Sequence, residues 1–124
     1  MPKGDRVCWV HSDVFNRIAD RWDLAFREAR MIEDAYCAAW FAPGEDGQPF
    51  FTPPAFALKR GTTEGINGRH RAVLLSRHLL EFPLSITSVD DNSQAAFAAL
   101  VVRAVEPDEI ILLPDLPVRV CPPG

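Results

Sequence analysis

The residues best suited to chemistry lie in segment 64–71, whose sequence is EGINGRHR. Within it, Gly68 is followed directly by the basic residues Arg69, His70 and Arg71. A helix that begins at Gly68 or Arg69 would present unpaired backbone N–H groups and the positive end of its dipole at this point. Basic side chains in a first turn oppose that dipole by roughly 0.3 kcal/mol or more each, and a bound anion would remove the penalty. The pattern therefore indicates an anion-binding helix start.

Phosphate is the anion that these residue types fit best. Glycine allows a ligand to approach the backbone closely, and the arginine fork can donate two parallel hydrogen bonds to phosphate oxygens. His70 would donate a further hydrogen bond or transfer a proton. We predict that ATP or another nucleotide is held here through its phosphates. The predicted contacts come from Asn67, Gly68, Arg69, His70 and Arg71.

Glu64 is the candidate acidic residue of this site. It could bind Mg²⁺ or activate water beside a bound triphosphate, which makes Glu64 and His70 the candidate catalytic residues of an ATPase or nuclease. The alternative for Glu64 is a solvated loop acid. His70 and His78 would lie about 12 Å apart along one helix and cannot share a metal ion. Apart from this contact of Glu64 with Mg²⁺, no protein metal ligands are predicted, and the sequence leaves open whether hydrolysis occurs.

Two other interpretations account for the same basic residues. In the first, the arginines pair with Glu64, Asp90 or Asp91, and Gly68 only makes a turn. In the second, the basic segment binds an acidic surface on a partner protein, with exposed tryptophan and phenylalanine side chains at the centre of the interface. A protein-binding module without enzymatic activity is therefore the alternative function.

Composition limits the class of protein. The chain of 124 residues is 48% hydrophobic and 24% charged, which predicts a single domain over residues 1–124. A net charge of -4 makes direct DNA binding weak at best. The three cysteines are widely spaced and suit neither a disulfide framework nor a CxxC pair, so we expect reduced thiols and a cytoplasmic protein. No apolar run approaches the length of about 18 residues that spans a membrane, so no membrane insertion is expected.

Strands and helices are predicted to alternate along the chain, from the spacing of apolar residues. Ser12 or Asp13 is expected to cap the first helix and residues 90–93 the last, and Pro83 is expected to end the second. The fold class is therefore α+β, or α/β, with a small mixed sheet flanked by helices. The predicted helices are 14–29, 69–81 and 94–105. The predicted strands are 7–10, 84–87 and 109–113, with a hairpin of 35–41 and 50–52 around an exposed loop.

The order of these elements resembles the ParB/sulfiredoxin fold over residues 50–105. That order is a strand, the residues Asn-Gly-Arg-His-Arg at 67–71, an amphipathic helix, Phe-Pro, a strand, a polar turn and a helix. The resemblance implies that the loop and the helix start bind nucleotide phosphates. The positions that match the helix-start motifs of the family are Gly68, His70, Arg71 and Ala72.

Two departures from that family narrow the expected function. Arg69 stands where sulfiredoxins carry their catalytic cysteine, and Cys8, Cys37 and Cys121 lie far from it in sequence, so reduction of sulfinic acid is not expected. The helix-turn-helix domain of partition proteins does not follow, so centromere binding is not expected either.

Among single-domain members, the chain is similar to the plasmid fertility inhibition factors. The shared features are an N-terminal strand, a Trp- and Phe-rich helix, a Phe-Thr-Pro-Pro turn at 51–54 and the basic helix start followed by Phe-Pro. The resemblance implies an inhibitor of DNA transfer through conjugative or type IV secretion systems, with a coupling protein of such a system as a candidate partner. It also implies ATP-hydrolysing or DNA-degrading activity, which is described for some members.

Overall fold

The computed structural model describes residues 6–19, 35–43, 49–106, 109 and 111–120. The helices are α1 (Ser12–Arg17), α2 (Arg69–His78) and α3 (Gln94–Leu100), with short 3-10 turns at Ala38–Trp40 and Asp91–Ser93. The strands are β1 (Arg6–His11), β2 (Tyr36–Cys37), β3 (Phe41–Pro43), β4 (Pro49–Phe51), β5 (Ala55–Lys59), β6 (Thr62–Asn67), β7 (Glu81–Val89), β8 (Val101–Ala104) and β9 (Val118–Arg119).

One five-stranded sheet has the order β6-β5-β7-β1-β8. Strands β5 and β7 run parallel, whereas the other neighbouring pairs in this sheet are antiparallel. A parallel pair needs a crossover connection, and β6 and α2 lie between β5 and β7 in the chain. Two smaller ladders join β2 to β9 and β3 to β4. The mixed sheet with its helices confirms the predicted α+β class. The β3–β4 ladder confirms a hairpin, but its predicted first arm, 35–41, was wrong, because Tyr36–Cys37 pairs with β9 and Ala38–Trp40 forms a 3-10 turn.

The core lies on the sheet face that packs against α1 and α2. Phe15 of α1 is fully buried, and its ring centroid is 5.1 Å from that of Phe56 in β5 and 5.1 Å from that of Phe82 in β7. Both ring pairs meet edge to face, which adds about 0.5–1.5 kcal/mol beyond the burial of area. Ala72 and Leu75 of α2 join the same cluster. The first two turns of α2 are therefore fixed against the sheet.

A second apolar cluster covers another side of α2. It contains Val73 and Leu74 of the helix together with Tyr36 of β2, whose hydroxyl donates a hydrogen bond to the carbonyl of Pro114. Because two sides of α2 are covered, every residue from Arg71 to Leu75 is buried. A surface helix buries only one stripe, so α2 is the central helix of the described structure.

A tight turn at Arg60 and Gly61 joins β5 to β6. Both residues have positive φ, 56° and 75°, as a two-residue hairpin turn requires. Asp90 accepts a hydrogen bond from the Arg60 N–H at 3.0 Å, and the Ser93 hydroxyl accepts one from the Gly61 N–H at 2.9 Å and donates to Asp90 at 2.5 Å. The hydrogen bonds from Ser93 and Arg60 lower the pKa of Asp90.

The predicted cap positions were correct for the last helix and wrong for the first, whose N-cap is His11 and not Ser12 or Asp13. Asp90 and Ser93 immediately precede the 3-10 turn and α3, but neither caps its helix with a side-chain hydrogen bond, because both side chains bind the β5–β6 turn or each other. The N-cap residue of α1 is His11, whose side chain makes no capping hydrogen bond, and Ser12 is the first helical residue. The Ser12 hydroxyl donates to the Leu79 carbonyl at 2.5 Å, so tertiary contacts take these hydroxyls away from the helix ends.

Pro83 lies inside β7 and does not end α2, contrary to the prediction. It stands opposite Trp9 of β1, while Ser85 two residues on donates its N–H to Pro54 on the β5 side at 2.8 Å. Alternate residues of a strand direct their N–H groups to the same side, so Pro83 lacks an N–H only on the β5 side. Pairing with β5 begins at Ala55 opposite Ser85, beyond Pro83. The proline therefore removes no hydrogen bond to β1.

Two predicted elements near the C-terminus were also wrong. α3 ends at Leu100, and residues predicted as its last turns form β8 against β1, where the β-branched Val101 and Val102 suit an extended strand. Residues 109 and 111–113 form no strand, whereas Val118–Arg119 pairs with β2. The predicted first helix, 14–29, was also wrong in its length, because α1 ends at Arg17 and Ala19 forms a β-bridge with Thr63. The part of that prediction beyond residue 19 and the hairpin loop at 44–48 lie outside the described residues.

The cysteines differ from the predicted set of reduced thiols. Cys8 is a free thiol buried in β1, and burial raises its pKa. Cys37 is disulfide-bonded, so the prediction was wrong for this residue.

In the part of the chain that the structure describes, no helix is long and apolar enough to cross a membrane.

Candidate functional site

Segment 64–71 forms the corner between β6 and α2. β6 ends at Asn67, α2 begins at Arg69, and Gly68 between them has φ 88° and ψ 34°. Glycine adopts this left-handed conformation at little cost, and it turns the chain from strand into helix. The Gly68 carbonyl accepts a helical hydrogen bond from the N–H of Ala72 at 3.0 Å. Within the described residues, no side chain caps α2, and its first turn contains no acid.

Arg71 is the most unusual residue of this corner because its charged side chain is buried. Only 5% of the residue is exposed, although arginine is almost never fully buried without a partner. Its Nη1 donates to the backbone carbonyl of Thr52 at 3.0 Å, and its Nε is buried without a hydrogen-bond partner. Burial lowers the pKa of the guanidinium, since less water is available to stabilise the charge.

No carboxylate neutralises Arg71 among the residues that the structure describes. Its hydrogen-bond acceptor, the Thr52 carbonyl, is neutral, and no acidic side chain contributes to its pKa. The interpretation in which this arginine pairs with Glu64, Asp90 or Asp91 is therefore wrong. Among the described residues, the corner therefore holds a buried positive charge with no acidic side chain to balance it.

Two glycines make room for two arginine side chains. A β-carbon on Gly65 would lie 2.6 Å from Cγ of Arg69, and one on Gly68 would lie 2.6 Å from Nε of Arg71. A β-carbon does not approach a nonbonded atom this closely. Each arginine side chain therefore occupies space that only glycine leaves open. We predicted that Gly68 admits a phosphate to the backbone. In the structure, the Arg71 guanidinium fills the space beside Gly68.

His70 lies between the corner and the β3–β4 hairpin. Its ring is half-buried and meets the half-buried indole of Trp40 at a tilt of 64°, with the ring centroids 5.8 Å apart. Trp40 also contacts Tyr36, at 6.4 Å between centroids. An aromatic side chain from a different element thus borders the first turn of α2.

Glu64 lies in β6, and strand alternation directs it away from α2. It pairs with Ala57, whereas the next residue, Gly65, pairs with Phe56 of the core beneath the helices. The Arg69 side chain lies over Gly65, which places α2 on that same face. Because neighbouring residues of a strand point to opposite faces, Glu64 is directed to the other face of the sheet. The structure therefore brings Gly68, Arg69, His70 and Arg71 together at one corner. Glu64 lies on the opposite face of the sheet.

A cleft of about 670 Å³ lies at the other end of α2. It is lined by residues that include His11, Asp13, Arg77, His78 and Glu81, and none of the predicted site residues contributes to it. Among the described residues, no group of three or more His, Cys, Asp or Glu side chains could hold a metal ion.

Three residues of the corner were absent from the sequence prediction. Thr52 contributes a backbone carbonyl, which every residue type carries, so no sequence signal marks it. Trp40 reaches His70 through the tertiary fold alone. Gly65 could have been found, because a second glycine three residues before Gly68 in a strand often marks a close approach of another group.

No protein-family model matches the chain, and no curated protein or solved structure matches it. The resemblance to the ParB/sulfiredoxin fold and to fertility inhibition factors stays a prediction from the sequence.

Proposed function

We propose that the β6–α2 corner binds the phosphate groups of a nucleotide. The observation that carries this proposal is the burial of Arg71, whose only hydrogen-bond acceptor among the described residues is the neutral carbonyl of Thr52. A buried charge without a counter-ion is costly, whereas a bound phosphate supplies both negative charge and acceptors for guanidinium donors that Thr52 leaves unused.

The start of α2 strengthens the preference for an anion. The first turn carries Arg69, His70 and Arg71 with no acid, and Gly68 offers no side chain as a cap. The dipole of the helix and its first backbone N–H groups add positive potential at the same point. Anions are stabilised where these contributions coincide, and phosphates are commonly bound there in proteins.

The residues divide into different roles in the proposed site. Arg71 is the main charged ligand, Arg69 supplies a second positive charge, and His70 and the exposed Asn67 at the end of β6 supply hydrogen bonds. Hydrolysis of ATP or of a phosphodiester, with Glu64, His70 and Mg²⁺, stays a separate prediction. Because Glu64 is directed to the other sheet face, binding of phosphate does not depend on it.

The biological role that we propose comes from the sequence resemblance. It is inhibition of DNA transfer by a conjugative or type IV secretion system through contact with a coupling protein. Expression in a donor cell should lower the frequency of plasmid transfer without lowering plasmid copy number or growth. Unchanged transfer of several plasmid types would contradict this role and leave the binding proposal intact.

Calorimetry tests the binding proposal directly. ATP, CTP, GTP and inorganic tripolyphosphate are titrated into the protein with and without Mg²⁺. Loss of a charge-assisted contact costs about 1.5–3 kcal/mol, so Arg71→Met should weaken binding by roughly ten- to a hundredfold. Arg77→Met is the matched control, since Arg77 is exposed in the last turn of the same helix.

Two results would contradict the proposal. One is the absence of binding by the wild-type protein to any of the four ligands. The other is equal weakening by Arg71→Met and Arg77→Met, which would indicate attraction by overall charge. Capture of an acidic partner protein that depends on Arg71, without nucleotide binding, would favour the protein-binding alternative.

A further inference from the structure

An aromatic pair borders the proposed phosphate site. Trp40 belongs to the 3-10 turn before β3, and His70 is the second residue of α2. Their rings meet edge to face with centroids 5.8 Å apart. Trp40 packs against the main core and is only partly buried, so the core holds its indole in place while part of the residue stays accessible.

Two hydrogen bonds of the Thr52 backbone, one to the Trp40 carbonyl and one from the Arg71 side chain, connect Trp40 to Arg71. The N–H of Thr52 donates to the Trp40 carbonyl at 2.8 Å, and the Thr52 carbonyl accepts a hydrogen bond from Arg71 at 3.0 Å. The end of the β3–β4 hairpin and the start of α2 are therefore connected at this point. An anion that neutralises Arg71 would bind next to the element that carries Trp40.

We propose that Trp40, together with His70, forms the surface that contacts the base of the bound nucleotide. This inference rests on the proposed function and specifies its ligand as a nucleotide with an aromatic base, in preference to free phosphate or polyphosphate. Phosphates then bind at Arg71, and the base lies against the Trp40 indole.

The chemistry of the two rings supports this assignment. Indole and imidazole present π surfaces, and each base that stacks on an aromatic side chain contributes about five- to a hundredfold in affinity. Stacking tolerates all four bases because each has a π face. Purines offer the larger ring, so ATP and GTP should bind more tightly than CTP.

The test compares ATP with inorganic tripolyphosphate in calorimetry. In the wild-type protein, ATP should bind at least fivefold more tightly. Trp40→Leu should lower the affinity for ATP by about five- to a hundredfold and leave that for tripolyphosphate unchanged, while Trp40→Phe, which keeps a ring, should restore part of the affinity. Trp9→Phe is the control, because Trp9 lies in β1 and its indole N–H donates to Glu109.

Tryptophan fluorescence gives an independent measurement. ATP should quench the emission of the wild-type protein and tripolyphosphate should not, and Trp40→Phe should abolish this difference while Trp9→Phe preserves it. Melting temperatures show whether each variant is folded.

Distinct outcomes separate the two proposals. Equal affinity for ATP and tripolyphosphate, or an equal loss of both in a folded Trp40→Leu protein, would overturn the base contact and keep the phosphate site. Absence of binding to either ligand would overturn both. Binding of ATP that Arg71→Met leaves unchanged would overturn the phosphate site alone.

Discussion

The guanidinium of Arg71 occupies the space where a β-carbon on Gly68 would lie. Such a carbon would be 2.6 Å from Nε and 2.8 Å from Cζ of that arginine. The glycine at the helix start thus serves two purposes, since it adopts φ 88° and it leaves room for a buried charge. The backbone conformation and the position of the charge are set by the same residue.

Gly68→Ala should destabilise the protein and displace Arg71. The left-handed conformation alone costs a residue with a side chain about 1–2 kcal/mol, and the clash with the guanidinium adds to it. Gly61→Ala is a matched control, because Gly61 has φ 75° but an added β-carbon would meet nothing within 4 Å. Unfolding in urea should show a larger loss of stability for Gly68→Ala, and the difference should shrink when both are combined with Arg71→Ala. Equal losses at the two glycines would contradict the contact.

Arg71→Met should remove the dependence of stability on phosphate ligands. Replacement of a buried charge by an apolar side chain of similar volume is often neutral or stabilising, so the variant without ligand should melt close to the wild type. With ATP at a hundred times its dissociation constant, the wild type should gain about 2.7 kcal/mol, and the variant should gain far less. Arg71→Lys should recover only part of the gain, since an ammonium cannot form the paired contact of a guanidinium. Differential scanning fluorimetry with increasing ATP measures these shifts, and a large loss of stability in ligand-free Arg71→Met would instead indicate a purely structural arginine.

Phe15→Ala should strongly destabilise the folded protein. Phe15 is fully buried and contacts the rings of Phe56 and Phe82. Truncation of a buried phenylalanine costs about 3–5 kcal/mol through lost burial and the remaining cavity. Phe15→Leu keeps most of the volume and should cost less, so it can be measured if the alanine variant does not fold. Leu80→Ala is the control, because Leu80 is 91% exposed and its loss should change stability by less than about 0.5 kcal/mol.

Acid should weaken the contact between Glu109 and β8. Arg103 donates to the two carboxylate oxygens of Glu109 at 2.8 and 2.7 Å, and the Glu106 N–H and Trp9 donate as well. These hydrogen bonds, with Arg103 as the largest cause, lower the pKa of Glu109 from 4.5 to about 2. A lowered pKa in the folded state means that the stabilisation is complete above pH 4.5 and is lost as the pH falls through about 2.

The measurement is the stability of the wild type and Glu109→Gln between pH 7 and roughly pH 2. The wild type should be more stable near neutral pH, and the two curves should converge across this acidic range. Parallel curves would contradict a role for the Glu109 carboxylate in stability.

Local features of the corner were predictable from sequence because they depend on neighbouring residues. The end of β6 and the start of α2 at Gly68 and Arg69 follow from backbone preferences and from the onset of apolar periodicity. The absence of acids from the first turn can be read directly. These features indicate a positive helix start, whatever the rest of the chain does.

Strand pairing determines the position of Pro83 and the direction of the Glu64 side chain, and local sequence patterns do not contain this information. Pro83 follows the apolar stripe of α2 and suggests its end, yet it lies within β7 because its missing N–H falls outside the region paired with β5. Glu64 is directed away from α2 because its neighbour Gly65 pairs with Phe56 on the core side. A shift of one residue in register would reverse that direction, and register depends on contacts distant in sequence.

The sequence by itself determined that three basic residues lie at a helix start. Only the tertiary structure decided which of their side chains is buried away from solvent. Arg69, His70 and Arg71 are all basic and adjacent, yet Arg71 alone among them is buried. Its burial results from packing of the β3–β4 hairpin against α2, which supplies the Thr52 carbonyl and brings Trp40 to His70. The free energy of a charge depends on the atoms that surround it in space, and those atoms come from segments that the local sequence does not specify.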